Sequence, residues 1–158
     1  MPDEIYTLSD LKPDTLNARK HNPRNLSMIE QSLRQVGAAR SGVIDEDGTI
    51  LAGNGTYEAL AAAGIERVRV VETDGNEWVV VKRTGLTEEQ KRALSVSDNR
   101  ASDLASWDAP TLELQGIDLQ PWFSEQELRQ LQKADELVSP PGLGEDKQEM
   151  GARQKCPK

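Results

Sequence analysis

Thr49-Ile50-Leu51-Ala52-Gly53-Asn54-Gly55-Thr56-Tyr57-Glu58-Ala59-Leu60-Ala61-Ala62-Ala63-Gly64 passes from β-branched and aliphatic residues, through two glycines, into strong helix formers closed by a third glycine. Thr49 to Ala52 suit a strand, and Tyr57 to Ala63 suit a helix that Gly64 stops. Strand, glycine turn and helix in that order predict an α/β unit. They also predict a site, because glycines let main-chain N–H groups approach an anion closely and a helix N-terminus adds partial positive charge. Phosphate is the natural ligand. A Gly-x-Gly turn serves equally to end a strand for steric reasons, so the surrounding sequence has to decide.

Just upstream, Gly42-Val43-Ile44-Asp45 is joined to Thr49 by Glu46-Asp47-Gly48, whose Asp-Gly pair supplies the turn of a β-hairpin. Before it, Ser27 and Glu30 have capping-box spacing, and Ile29, Leu33 and Val36 recur at helical intervals until Gly37. That predicts a helix from Ser27. Asn17 to Arg24 reads as an irregular loop, and the alternation Glu4-Ile5-Tyr6-Thr7-Leu8 as an opening strand.

Downstream, Val68, Val70 and Val71, then Trp78-Val79-Val80-Val81, flank Thr73-Asp74-Gly75-Asn76 and predict a second hairpin. Thr87 and Gln90 open another helix, expected to carry Ala93, Leu94 and Val96 inward and to end near Asp98-Asn99-Arg100. Ser124 and Glu127 open a further short helix with Leu128 and Leu131. From Asp135 the composition shifts to Pro140-Pro141-Gly142, Gly144 and scattered charges, so 135–158 is read as a flexible tail. The domain expected is 1–105, with a helical extension over 106–134.

The 158 residues carry 19 Lys and Arg against 27 Asp and Glu, a formal net charge of −8. That is the wrong sign for a protein coating nucleic acid through its overall field. Residues 19–40 are a local exception, holding Arg19, Lys20, Arg24, Arg34 and Arg40 against Glu30. Such an island is either a solvated helix face or an anion site, and is where DNA or a DNA-bound protein would be met. No apolar run reaches the length of a membrane span, and the acidic start lacks the pattern of a secretory signal, so cytoplasm is the expected compartment. The one cysteine, Cys156, has no partner for a disulfide within the chain.

Two further clusters accompany the glycine turn. Asn22-Pro23-Arg24 lies upstream and Asp98-Asn99-Arg100 downstream, each at the end of an expected element, where binding groups are displayed. Arg24 or Arg40 offers phosphate a planar fork, and Asp98 with Asn99 offers the oxygen ligands that Mg²⁺ prefers. Capping and turn formation account for Asp98 and Asn99 equally well. His21, a lone imidazole in a basic loop, reads as an ordinary polar surface residue.

Across roughly residues 4–105 the order of elements and clusters resembles the ParB N-terminal domain and the related sulfiredoxin fold. Asn22-Pro23-Arg24 is similar to the family's Asn-Pro-Arg box, Gly37 through Ile44 to its helix-to-strand junction, and Asp47 through Ala59 to its phosphate-binding strand, turn and helix. Asp98-Asn99-Arg100 takes the place of its third box, whose residues hold the metal in nucleotide-bound ParB proteins. Among relatives, the chain resembles the stand-alone ParB-like proteins of phages and mobile elements, which share a Trp-Asp pair like Trp107-Asp108. The resemblance implies a small mixed sheet packed with short helices, and a nucleoside triphosphate (CTP or ATP) with Mg²⁺ as ligand. The implied phosphate-binding set is Asn22, Arg24, Arg40, Ser41, Gly53, Asn54, Gly55 and Thr56, with Glu58 as candidate catalytic carboxylate and Asp98 and Asn99 as candidate metal ligands.

Departures bear on activity. Where the family's turn carries Glu-Arg-Arg or Cys-His-Arg, this chain has Asn54, Gly55 and Thr56. The cationic clamp is missing, with Thr56 as the remaining hydroxyl and Arg40 as the guanidinium able to replace its charge. Sulfiredoxin chemistry needs a turn cysteine as nucleophile, which Asn54 excludes. Three readings follow: a nucleotide-binding module associated with DNA processes such as partition or plasmid and phage maintenance, a metal-dependent nuclease, or an inactive interaction adaptor. A homodimer is compatible with each. Lys155-Cys156-Pro157-Lys158 reads like the first half of a zinc knuckle, with one of the four ligands such a site needs.

Overall fold

The computed structural model describes residues 4–138. Strands β1 (Glu4–Thr7), β2 (Lys12–Pro13), β3 (Arg19–Lys20), β4 (Val43–Ile44), β5 (Thr49–Ala52), β6 (Arg67–Val70) and β7 (Ser106–Trp107) alternate with helices α1 (Pro23–Val36), α2 (Asn54–Ala62), α3 (Glu88–Leu104), α4 (Ala109–Leu114) and α5 (Glu125–Val138). This is an α/β fold.

Its strands form three small sheets. β5 stands between β2, to which it is parallel, and β4, its antiparallel hairpin partner. β1 pairs antiparallel with β6, and β3 antiparallel with β7. The mixed sheet expected from the resemblance is thus the three-stranded one, with two ribbons beside it. α1 packs against both α2 and α3. Leu33 and Val36 of α1, Ile50 of β5 and Ala59 of α2 are buried, as are Leu8, Ala18, Ala109 and Leu112. No helix among the described residues is long and apolar enough to cross a membrane.

Several local expectations need correction. α1 starts at Pro23 rather than Ser27. The Asn22 side chain caps it, accepting from the Asn25 N–H at 2.9 Å, and Pro23 falls in the first turn, where its missing N–H costs no helical bond. Ser27 and Glu30 therefore lie inside the helix, and the loop expected over 17–24 contains β3.

The second hairpin does not form. Its turn exists: the Asp74 carboxylate accepts from the Asn76 N–H at 3.0 Å, and Gly75 adopts φ 82°. β6, however, is paired with β1, and residues 78–81 are irregular, with Trp78 89% exposed. A turn and β-favouring residues do not make a strand without a sheet surface to cover.

α3 has the expected Thr87–Gln90 capping box but continues past Asp98-Asn99-Arg100 to Leu104. Its more buried face is Leu94, Ser97, Asp98 and Ala101, at helical spacing, whereas Ala93 is exposed and Val96 is 69% exposed. Asp98 sits inward because it meets Arg40, an ion pair invisible to hydrophobic periodicity. Ser124 and Glu127 cap α5 as expected, through bonds of 2.7 Å from Ser124 N–H and O–H to the Glu127 carboxylate. α5 reaches Val138, so residues 135–138 are helical rather than tail. The remainder of that expected tail, with Cys156 and the zinc-knuckle reading, lies outside the described residues.

Candidate functional site

Gly53 joins β5 to α2 at φ 102°, a left-handed conformation that favours glycine. A Cβ there would stand 3.2 Å from the Gly42 Cα. The absence of a side chain thus lets the hairpin entry and the helix entry pass close together. The buried Asn54 side chain locks the bend from inside, accepting from the Asp14 N–H at 3.3 Å and donating to the Ile50 carbonyl at 3.1 Å. Tyr57 is the first α2 residue whose N–H has an acceptor, the Gly53 carbonyl at 2.9 Å. Among the described residues nothing accepts from the N–H groups of Asn54, Gly55 or Thr56. An acceptor from outside the chain is the usual partner for such groups.

The turn borders a cleft of about 510 Å³. Arg40 and Ser41 line it ahead of β4, and Leu94, Ser97, Asp98 and Ala101 line it from α3. Arg40 Nε lies 3.0 Å from Asp98 Oδ1. That oxygen is buried and has no aligned hydrogen bond, so the contact is an ion pair that leaves the oxygen under-satisfied. Asp14 is a second carboxylate in the lining. At another part of the wall the Arg19 guanidinium sits 4.8 Å from the centre of the Trp107 ring, which also meets Phe123 edge-on at 5.3 Å. Arg19 and Trp107, in cation–π contact, both line the cleft.

His21 is in the cleft and not an ordinary surface residue. Its ring occupies the space beside Gly55: a Cβ on residue 55 would meet Cε1 at 2.5 Å and both ring nitrogens at 2.7 Å. Nδ1 lies 2.6 Å from Oδ1 of Asn25, which is fully buried and donates from its own Nδ2 to the Ala101 carbonyl at 2.8 Å. Asn25 therefore ties α1 to α3 and holds the imidazole over the glycine turn.

Of the residues singled out from sequence, the cleft brings together Arg40, Ser41, Gly53, Asn54, Gly55, Thr56 and Asp98. Asn22, Arg24, Glu58 and Asn99 lie outside its lining. Asn22 caps α1 and donates to the Leu104 carbonyl at 3.1 Å. Asn99 donates back to the Ser95 carbonyl at 3.1 Å, and Arg24 and Glu58 are exposed. Among the described residues no group of three or more His, Cys, Asp or Glu is arranged to hold a metal. Much of the basic island is internally engaged: Arg34 with Glu30, Arg40 with Asp98, and Arg19 with Trp107. Sequence reasoning missed His21 and Asn25; their spacing of four across the Asn22 cap, His21 just before it and Asn25 in the first turn of α1, was the available signal.

Fold and cleft together define a small α/β domain with a cleft bordered by a glycine turn between strand and helix. Over 85 residues the chain is 32% identical to the ParB-like nuclease domain-containing protein YnaK of Escherichia coli (strain K12), covering 54% of this chain and 86% of that protein. The chain belongs to this ParB-like family. No protein-family profile matches the chain, and no solved structure matches it.

Proposed function

We propose that this domain binds a nucleoside triphosphate in the cleft, its phosphates on the turn at residues 53–56. The observation that carries this reading is the set of N–H groups at Asn54, Gly55 and Thr56 without acceptors, in the same cavity wall system as Arg40. Main-chain donors, a helix N-terminus and a guanidinium are the combination that recognises phosphate. Trp107 and Arg19 offer planar surfaces on which a base stacks, an interaction worth about 1–3 kcal/mol. Asp98 is the residue that would hold a Mg²⁺ arriving with the nucleotide, since Mg²⁺ is commonly bound through one or two carboxylates plus substrate phosphates. The under-satisfied Oδ1 supports that fit.

Isothermal titration with CTP, ATP and GTP in the presence of Mg²⁺ tests the proposal, and absence of binding at millimolar nucleotide would end it. Arg40→Ala removes a charge-assisted bond and is expected to weaken binding by about 10- to 100-fold.

A second reading is favoured by the likeness to YnaK, a ParB-like nuclease domain-containing protein, and by Asp14 and Asp98 in one cleft lining. Here the substrate is DNA, met through residues 19–40. Metal-dependent nicking of supercoiled plasmid that Asp98→Ala abolishes would support it, whereas equal nicking by both proteins would identify a contaminant.

A further inference from the structure

The Asn25 side chain fixes which nitrogen of His21 carries a proton. The Ala101 carbonyl only accepts, so the amide NH₂ of Asn25 must face it at 2.8 Å. Oδ1 is then the atom 2.6 Å from the imidazole, and an oxygen there requires a hydrogen on Nδ1. Reversing the amide would set two acceptors against each other at one end and leave a fully buried group mispaired. The neutral ring is therefore the Nδ1–H form, with the lone pair on Nε2. No described residue bonds to Nε2, and the ring borders the cleft beside Gly55. A base held in one tautomer by a third group, in the wall of a cleft, is an arrangement that suits general-base catalysis.

Building on the nucleotide reading above, we propose that His21 is the proton acceptor of this cleft, acting on a water molecule that attacks a phosphorus atom held over residues 53–56. The water oxygen forms a bond to phosphorus, and the anhydride P–O bond breaks with its electron pair leaving on the departing phosphate oxygen. The proton of the water passes to Nε2 and is later released to solvent or to the leaving phosphate. The substrate class is a nucleoside triphosphate, and the products are the diphosphate and inorganic phosphate. Asn25 is the positioning residue, since it sets the tautomer without touching the reacting atoms. Gly55 is glycine because the ring fills the position its Cβ would take.

The chain has a single histidine, so one pair of ring nitrogens appears in a long-range ¹H–¹⁵N spectrum of the full-length labelled protein. In its neutral form the ring is expected to carry its proton on Nδ1, with the Nε2 resonance moving when CTP or ATP is added with Mg²⁺. In a phosphate-release assay, His21→Gln is expected to lose at least about 100-fold in turnover while its nucleotide affinity stays within about threefold of wild type. A ring protonated at Nε2, a His21→Gln protein hydrolysing at the wild-type rate, or a wild type that binds nucleotide without releasing phosphate would each overturn the assignment. Should the variant fail to fold, the wild-type spectrum still decides. Absence of any nucleotide binding defeats the broader reading first and this one with it, whereas binding without turnover defeats only this one.

Discussion

Gly55 is where helix propensity and packing disagree. Alanine in the first turn of α2 would gain up to about 1 kcal/mol in intrinsic preference. Its methyl group, however, would stand 2.5 Å from His21 Cε1, and the ring cannot swing away without releasing its bond to a fully buried Asn25 oxygen. An orphaned buried acceptor costs about 1–3 kcal/mol. Packing wins by this comparison, so Gly55→Ala is expected to destabilise the domain by about 1–2 kcal/mol in urea denaturation. An unchanged or raised midpoint would show that the ring is free to move. At this scale the sequence was partly legible. Gly53, Gly55 and Thr56 announced the turn through residue type alone, and Arg40 was chosen for its charge. His21 and Asn25 were illegible because their meaning lies in a contact with Ala101, 76 residues away from Asn25, and one sequence displays no such pairing.

Helix starts were the most legible elements, because a cap is a local bond between side chain and nearby main chain. Thr87–Gln90 and Ser124–Glu127 form as their spacing indicates. Asn22-Pro23 carries an equally good signal, set within a polar run whose composition predicts a loop. The hairpin after β6 failed for the opposite reason: its turn is local, but a strand needs a distant partner. Asp108 caps α4, accepting from the Thr111 N–H at 3.1 Å. The Thr111 hydroxyl, which bonds the same carboxylate, is the main influence holding the Asp108 pKa below its ordinary value. The main-chain bond from Thr111 and the charge of Lys20 act in the same direction, and desolvation opposes them. A carboxylate depressed in the folded state contributes stability above its unfolded pKa, near 4, and loses it as pH falls through the lower folded value. Asp108→Ala is therefore expected to cost about 1 kcal/mol at neutral pH, or about 4 °C in Tm. Thermal melts of the two proteins should draw together as pH falls below about 4 and converge only below the lower folded value; a gap that persists at the acid end would assign the loss to packing.

For the molecule as a whole, charge and composition set expectations of class, and the strand, turn and helix at its centre located the cleft. What they could not show was how few long strands the fold contains. Its sheets are short ribbons, and residues 71–86 cross the surface with no regular structure. That segment holds Val80 and Trp78 in solvent and is fastened near its end by the Arg83 guanidinium, which donates to the Ala38 carbonyl at 2.7 Å. Within residues 4–138, brief chymotrypsin treatment is expected to cut first after Trp78; an uncut segment would mean that something covers it in solution. The Arg40–Asp98 pair has a wider consequence. On the nucleotide reading proposed above, an anion reaching Arg40 would displace its intramolecular counter-ion, and the carboxylate so released would be open to a divalent cation. Occupancy by anion and cation is then thermodynamically linked, each raising the other's affinity by the same factor. Calorimetry should find magnesium alone and metal-free nucleotide both weak, with the ternary complex formed cooperatively; Asp98→Asn should remove the cooperativity and raise the metal-free affinity, because Arg40 loses the counter-ion that competes with the anion.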